Sequence, residues 1–185
     1  MSQLTGTGLK RLHREWRRRK SARLALLLEA VGSPFNVGSI VRTAAAMGAD
    51  ALYLVRVGAA PDSPRVQKAA MGTSRYLTWR DFETVGAAVA AARADGYRVV
   101  ALELADEAEP LFALDATGDT CLAVGHEDRG LTPAALAACD AVAYIPQLGR
   151  VGSLGVAAAA AVGAYEVRRQ QFASADRPAG SEPDG

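Results

Sequence analysis

Five short apolar runs, separated by segments with helical periodicity or by glycine- and proline-bearing loops, constrain the fold of this chain more than any other feature. The runs lie at residues 23–30, 51–57, 98–104, 120–124 and 141–145. Between the first two, a helix is predicted from about Asn36 to Met47, with Gly48 as its stop and Asn36 as its N-cap. Strands that alternate with helices favour a parallel sheet. The sequence therefore predicts an α/β fold with a mostly parallel sheet and helices on both faces.

Further helices are expected elsewhere along the chain. They lie at about residues 66–70, 82–95 and 153–171, and a fourth begins at Thr132 and Pro133, which supply an N-cap and a proline in the first turn. The helix predicted at 153–171 is rich in alanine. Residues 173–185 are rich in Pro, Gly, Ser and Asp and are predicted to form a disordered tail.

Length and composition exclude several classes of protein. A chain of 185 residues is long enough for one domain with a real core. It has no apolar run of membrane-spanning length and no signal-peptide segment at its start, so we expect no membrane insertion and a cytoplasmic location. With two cysteines and two histidines a metal site is not expected, and Cys121 and Cys139 are interpreted as small buried hydrophobic residues.

Basic charge is concentrated in residues 1–23, which hold eight Lys or Arg residues against one glutamate. Leu9, Leu12 and Trp16 have helical spacing, so a helix here would dock one apolar stripe and leave the basic residues outward. Such an arm suits a polyanion, although a solvated leader and an acidic membrane surface are alternatives. The predicted RNA-binding residues of this extension are Lys10, Arg11, Arg14, Arg17, Arg18, Arg19 and Lys20.

The end of the sheet at which the strands terminate is the predicted ligand site. Asn36, Gly125 and Pro146 all follow predicted strands, and open α/β sheets bind ligands there. The chain lacks the glycine-rich phosphate-binding signatures of dinucleotide-binding and P-loop proteins. His126, beside Glu127, is more typical of a loop histidine than of a catalytic one. Pattern alone thus indicates a ligand-binding α/β domain with a basic arm.

Three motifs add a family resemblance to this picture. They are N-x-G-x-x-x-R-T-A at residues 36–44, G-x-E-x-x-G-L at 125–131 and I-P-x-x-G-x-x-x-S-L at 145–154. In order and spacing they resemble the SpoU/TrmH branch of the SPOUT RNA methyltransferases, over about residues 24–171. The stretch AAMGTSRYLTW at 69–79 is also similar to tRNA guanosine 2′-O-methyltransferases of that branch.

The resemblance implies a trefoil knot at the C-terminal end of the sheet, a homodimer and S-adenosylmethionine as cofactor. The domain would span residues 24–172, and its alanine-rich last helix looks suited to close dimer packing. The cofactor is expected near the main chain of Leu104, Gly125, Ile145, Leu148 and Leu154.

The resemblance further implies methyl transfer to a ribose 2′-hydroxyl of RNA, with a tRNA guanosine favoured over ribosomal RNA. Arg42 would be the catalytic residue, contributed across the dimer as a clamp on phosphate, because a guanidinium is a poor general base. Asn36 would orient the first motif, and Glu127 would hold Arg42 or the substrate. Ser153 would cap the last helix and touch the site.

One position departs from the family pattern. The family usually has Ser-Leu-Asn in the third motif, and this chain has Ser153, Leu154 and Gly155. Within a first helical turn the glycine would cost up to about 1 kcal/mol, and it removes a side chain that could bond the substrate. An active enzyme is the favoured interpretation. A knotted RNA-binding module without turnover and a nucleotide-binding regulator with a membrane-attracted arm are the alternatives.

Overall fold

The structure, a computed structural model, describes residues 3–175 and places them around one sheet. The strands are β1 (Leu24–Glu29), β2 (Ala51–Val55), β3 (Thr78–Phe82), β4 (Arg98–Leu102), β5 (Glu109–Pro110), β6 (Thr120–Val124) and β7 (Ala141–Tyr144). All pairings are parallel, and the order across the sheet is β3-β2-β1-β6-β4-β7-β5. Strand β6 therefore lies at the centre of the sheet, between β1 and β4.

Helices cover both faces of the sheet, as predicted. They are α1 (Gly6–Arg18), α2 (Pro34–Ala46), α3 (Pro64–Ala70), α4 (Val85–Ala94), α5 (Pro133–Ala138) and α6 (Val156–Ala175). Helices α2, α3 and α6 pack on one face, and α4 and α5 pack on the other. Because every residue of β1 and β6 is buried between these layers, the central strands read as continuous apolar runs rather than as alternating patterns.

The five predicted strands are confirmed, and two further strands lie at the edges of the sheet. Strand β3 follows a 3₁₀ turn at Thr73–Tyr76, and its residues are exposed or half-buried. Strand β5 lies within the connection that separates β4 from β6, and its two residues give no strand signal in the sequence. Edge strands that are short or exposed carry weak patterns, which explains both differences.

Three predicted helix starts are wrong. The helix predicted from about residue 82 begins at Val85, because Phe82 is the last residue of β3. Ser33, not Asn36, is the N-cap of α2, since its hydroxyl accepts from the Asn36 amide, and Pro34 begins the helix. Helix α6 begins at Val156, so Ser153 lies before the helix and does not cap it. The predicted tail from 173 also overlaps α6, which extends to Ala175, and the rest of that tail lies outside the described residues.

The basic arm forms helix α1, but it docks less completely than its apolar stripe predicts. The Trp16 ring lies 5.0 Å from that of Phe172 in α6, between ring centroids. Leu9 and Leu12 remain exposed, at 43% and 38%. Aromatic contact at one residue therefore holds the arm against the domain, and most of α1 faces solvent.

A buried arginine joins the end of α2 to the last helix. Arg168 is 3% exposed, and its guanidinium donates to the carbonyl oxygens of Met47 and Gly48 at 2.8 and 2.7 Å. It also donates to Ala22 at 2.8 Å and to Oε1 of Gln171 at 2.6 Å. Burial lowers the pKa of Arg168, and the carbonyl groups at the C-terminus of α2 compensate its charge. This contact sets α6 across the sheet.

Residues 3–175 contain neither a membrane-spanning helix nor a metal-binding cluster of side chains. None of the helices in this part of the chain combines the length and hydropathy that a membrane span requires. The same residues hold no cluster of three or more His, Cys, Asp or Glu side chains arranged to bind a metal ion.

Candidate active site

A pocket of about 590 Å³ lies at the C-terminal edge of the sheet. Three chain segments form its walls: the end of β4 at residues 102–104, the loop after β6 at 124–130, and the segment 144–156 that leads from β7 into α6. The apolar wall includes Leu102, Val124 and Ile145, and most of the remaining lining residues lie in the loops after β6 and β7. The second and third motifs therefore meet in one pocket.

The loop after β6 is closed by its own backbone. His126 and Gly130 exchange amide-to-carbonyl hydrogen bonds at 3.0 and 2.9 Å. A Cβ added to Gly125 would lie 2.1 Å from the carbonyl carbon of Gly130, so only glycine permits this approach. The loop continues into α5, whose N-cap Thr132 donates from its amide and its hydroxyl to the buried carboxylate of Glu29. Both ends of the loop are thus anchored to the sheet.

Glu127 ties this loop to the first motif. Its carboxylate accepts hydrogen bonds from the amides of Gly32 and Ser33 at 3.0 and 2.9 Å and from Nδ2 of Asn36 at 2.9 Å. Burial alone would raise the pKa of Glu127, but the Asn36 and backbone donors outweigh it and lower that pKa to about 2. The predicted orienting role of Asn36 agrees with this bond. Within one chain Glu127 does not contact Arg42, and its acceptors are engaged at the start of α2.

Arg42 lies apart from the pocket. It is exposed on α2 and does not line the pocket that the second and third motifs form. Within residues 3–175 its side chain makes no hydrogen bond or ion pair with any other residue. Within one chain, therefore, the guanidinium is not part of the pocket wall.

Four of the five predicted cofactor residues line the pocket: Leu104, Gly125, Ile145 and Leu154. Leu148 does not, and its exposed fraction is 103%, because it stands on the outer side of the 146–155 loop. The expected contact of the cofactor with the main chain near Leu148 stays a prediction. Ser153 lines the pocket, so the prediction that it touches the site agrees with the structure.

Gly155 lies just before the last helix and not within its first turn, where the sequence predicted it. Its φ is +79°, a left-handed conformation that favours glycine, and its carbonyl accepts the first hydrogen bond of α6 from Ala159. It stands before the helix rather than inside its first turn, so the predicted helix penalty is wrong.

Comparison with known proteins decides the family. The profile of the SpoU rRNA methylase family matches residues 23–165, which is most of the chain. The chain belongs to the SpoU rRNA methylase family. The resemblance read from the three motifs is confirmed, and so is the trefoil-knot α/β fold class that it implies, since the structural neighbours are SpoU/TrmH methyltransferases.

Three members of this SpoU group illustrate the likeness. A tRNA (guanosine(18)-2′-O)-methyltransferase of Escherichia coli is 35% identical over 153 residues, which is 83% of this chain and 66% of that protein. The A. aeolicus TrmH/SpoU tRNA modifying enzyme has a TM-score of 0.75 at 26% identity, covering 94% of this chain and 90% of that one. The SpoU methyltransferase AviRb from Streptomyces viridochromogenes, in complex with the cofactor AdoMet, has a TM-score of 0.73 at 31% identity, covering 84% and 64%. This chain spans just under two thirds of the length of the E. coli relative.

Two polar residues of this SpoU pocket were missed by sequence reasoning. Glu103 accepts from the amides of Leu131 and Leu104 at 2.9 and 3.1 Å, so it braces the loop after β6 from the end of β4. Its place directly after a buried strand is a signal that could have found it. Gln147 also lines the pocket, and its Oε1 is buried without a hydrogen-bond partner among residues 3–175.

The predicted RNA-binding residues all lie on or just after α1, at Lys10, Arg11, Arg14, Arg17, Arg18, Arg19 and Lys20. Arg19 stacks on the Trp16 ring, with its guanidinium carbon 4.5 Å from the ring centroid. Nζ of Lys20 lies 2.6 Å from a carboxylate oxygen of Asp50. The others of this set are exposed, and their arrangement leaves a basic surface on the outside of the arm.

Proposed function

We propose that this protein is an S-adenosylmethionine-dependent RNA methyltransferase that modifies a ribose 2′-hydroxyl and works as a homodimer. One observation carries the proposal. The second and third motifs converge on a single pocket whose walls include Leu104, Gly125, Ile145 and Leu154, and Glu127 joins that pocket to the first motif. The likeness to AviRb, solved with AdoMet, supports the choice of cofactor.

The residues present suit this cofactor. Leu102, Val124 and Ile145 offer an apolar slot for the adenine ring, and the surrounding loop backbone offers amides and carbonyls for its polar edge. The buried Oε1 of Gln147 is an acceptor without a partner in the described part of the chain, and the amino group of adenine would satisfy it. When bound, the cofactor supplies an electrophilic methyl group on a positively charged sulfur.

The chain's own contribution is to hold the ribose oxygen in place and to stabilise the charge that develops on it. A guanidinium offers a rigid fork of donors to phosphate oxygens, so Arg42 is proposed to clamp the phosphate beside the target ribose. The 2′-hydroxyl proton then passes to phosphate or water, and the positive charge of Arg42 stabilises the developing alkoxide. Ser153 at the pocket rim and the Asn36–Glu127 pair keep the surrounding loops in position.

The separation of Arg42 from its own pocket supports the homodimer. A second copy of the chain would bring its α2 to this pocket, so that each site takes the guanidinium from its partner. Exposed apolar side chains on α2 and α6 supply a surface for such pairing. They include Phe35, Val162 and Tyr165, with exposed fractions of 69%, 46% and 60%.

The substrate class follows from the relatives and the arm. The E. coli relative is named for guanosine 18 of tRNA, so a guanosine is proposed as the target and tRNA is favoured. The family is named for ribosomal RNA, which is the alternative substrate. The basic surface of α1 provides attraction to phosphate that does not depend on sequence. A cytoplasmic location belongs to the same proposal, because tRNA and ribosomes are found there.

A knotted RNA-binding module without turnover is the second candidate, and Gly155 is the observation that favours it. The side chain that the family usually carries there is absent, and the pocket rim at that point is backbone only.

Methyl transfer from radiolabelled S-adenosylmethionine to bulk tRNA and to ribosomal RNA tests the first candidate against the second. We expect label in RNA, in nucleotides whose 3′ linkage resists alkaline hydrolysis, which marks 2′-O-methylation. Leu154→Glu places a carboxylate in the pocket and serves as the inactive control. Cofactor binding without transfer to either RNA would reject the enzyme and favour the binding module.

Mixing two variants tests the shared site. Arg42→Ala keeps an intact pocket, and Leu154→Glu keeps Arg42, so only a mixed dimer with a shared site contains one complete set. After co-refolding we expect about a quarter of wild-type transfer, since about half of the dimers are mixed and each has one working site. If the mixture is as inactive as its components, Arg42 does not act across the dimer.

A further inference from the structure

A second cleft, of about 600 Å³, lies between the arm and the domain. Its walls include residues of α1, the C-terminal end of α2 at residues 45–48, Tyr76 of the 3₁₀ turn and Phe172 of α6. We call it the arm cleft. It shares no lining residue with the pocket described above. Measured along α2, its floor at Met47 is about 16 Å from Asn36, at 1.5 Å per residue.

Aromatic side chains give the arm cleft its first distinctive property. Trp16, Phe172 and Tyr76 all line it, and Trp16 and Tyr76 keep exposed fractions of 41% and 64%. The orientation of the exposed Tyr76 ring is fixed by Arg75, which donates to the Tyr76 hydroxyl at 2.8 Å and lies over the ring. Exposed rings beside a basic helix are the features of a base-stacking platform.

Charge gives the arm cleft its second property. His13, Arg17, Lys20 and Arg168 line it, and no aspartate or glutamate does so in the part of the chain that the structure describes. The Arg17 side chain has no hydrogen-bonding or ionic partner there. Lys20 is paired with Asp50, but both side chains are about one-third exposed, and a surface pair of this kind is weak enough to exchange for a phosphate.

From these two properties we infer that the arm cleft binds an unpaired nucleotide of the RNA, its base on the exposed aromatic rings and its phosphate at Arg17 and Lys20. The inference rests on RNA being the substrate, as proposed above. A stacked base must be splayed from its neighbours, so single-stranded RNA fits the cleft and a continuous duplex does not. The cleft would hold the RNA at a point separate from the methylated ribose. A nucleotide is inferred as the ligand because the cleft combines aromatic rings with cations, and charge alone would not distinguish it from other anions.

Fluorescence anisotropy of a short fluorescein-labelled single-stranded oligoribonucleotide, without cofactor, measures this binding directly. Tyr76→Ala is expected to weaken the affinity about tenfold, because it removes one exposed stacking ring. Tyr76→Phe keeps the ring and should keep the affinity. Phe112→Ala is the matched control, since Phe112 is 65% exposed and lines neither the arm cleft nor the pocket at the strand ends.

Trp16 provides a second reading of the same site. In a Trp79→Phe background Trp16 is the remaining tryptophan, and stacking of a base should quench its fluorescence when single-stranded RNA is added. A duplex of the same length should quench it far less. Vesicles containing phosphatidylserine should not compete with the RNA for this signal.

The outcomes separate this inference from the proposed function. Tyr76→Ala and Phe112→Ala binding single-stranded RNA equally well would overturn the cleft assignment, as would equal quenching by duplex or displacement by the vesicles, even if methyl transfer proceeds. Loss of affinity in Tyr76→Ala alone supports the cleft. If that loss is seen while no RNA accepts label, the cleft stands and the methyltransferase proposal fails.

Discussion

Asn36 donates from its side-chain Nδ2 to Oε1 of Glu127 at 2.9 Å, and this bond joins the start of α2 to the loop after β6. The amides of Gly32 and Ser33 donate to the same carboxylate. A pKa of about 2 keeps Glu127 ionised far below neutral pH, so the bond between the two motifs persists across the range in which cells work. The carboxylate acts here as a structural acceptor within the site.

Replacing Glu127 with glutamine should weaken folding in a pH-dependent way. The glutamine side chain would place its own N–H group against the N–H donors of Gly32, Ser33 and Asn36. At pH 7 we therefore expect the free energy of unfolding to fall by about 2 kcal/mol. The lowered pKa means that the stabilisation is complete above about pH 4.5 and is lost as pH falls from there towards 2. Urea unfolding at pH 7 and at pH 3 measures both values, and the difference between wild type and variant should shrink at pH 3.

Asp128→Asn is the matched control for that change. Asp128 is exposed in the same loop, and its carboxylate accepts no hydrogen bond from residues 3–175. Its substitution should leave stability within about 0.5 kcal/mol at both pH values. Equal losses in the two variants would mean that the contacts of Glu127 do not stabilise the fold.

Arg42→Ala should lower single-turnover methyl transfer by about a hundredfold or more, since it removes the charge that stabilises the alkoxide. Cofactor affinity and thermal stability should not change, because Arg42 is exposed and lies outside the pocket of its own chain. Arg42→Lys keeps the charge but loses the bidentate geometry of the guanidinium, so its transfer rate should lie between those of the wild type and Arg42→Ala. Calorimetric titration of the cofactor separates binding from transfer, and a fully active Arg42→Ala would remove the residue from the mechanism.

Gly155→Ala should destabilise the protein by about 1 kcal/mol, because a side chain is disfavoured at a φ of +79°. Asparagine tolerates that conformation better, so Gly155→Asn should cost less and should raise methyl transfer if the family's usual side chain helps the reaction. Gly86→Ala in α4 is a control of opposite sign, since an added Cβ there meets nothing within 4 Å and alanine favours helix. Thermal unfolding of the three variants checks the order, and Gly155→Ala as stable as Gly86→Ala would contradict it.

Arg168→Met should cost about 3 kcal/mol of stability, because several buried carbonyl groups lose their donor together. Arg168→Lys offers fewer donors in a different geometry and should recover only part of the loss. The next residue supplies the control, since Arg169 is about half exposed and, among residues 3–175, pairs only with Glu166 on the same helix. Arg169→Met should change stability by less than about 0.5 kcal/mol in the same denaturant titration, and similar losses at the two positions would show that burial of Arg168 does not matter.

Sequence patterns predicted the central part of this fold and lost accuracy towards its edges. Strands β1 and β6 are buried throughout, and their apolar runs mark them plainly. Strand β5 has only two residues, one of them a proline, and its pairing with β7 depends on the tertiary fold. The start of α2 was misplaced by three residues because Ser33 and Asn36 are both good caps, and the choice of Ser33 leaves Asn36 free to bind Glu127.

In the site, too, some features could be predicted from the sequence and others depend on the tertiary fold. Glycines such as Gly125 could be recognised from the sequence because a close backbone approach demands them. The place of Glu103 after a buried strand marks it as a site residue, but its hydrogen bond to Leu131, 28 positions away, depends on the tertiary fold. Leu148 lies within the third motif and its side chain is exposed, so the prediction for this position concerns its main chain alone.

The central position of β6 has a consequence for how the protein is made. Strand β1 is synthesised before the other strands of this sheet, but β6, whose Thr120 pairs with Leu24, is translated almost a hundred residues later. Until then the half-sheet formed by β1, β2 and β3 exposes an unpaired apolar edge, which is prone to aggregation. Pairings this distant in sequence also slow folding. The newly synthesised chain should therefore depend on chaperones until β6 and α6 have left the ribosome.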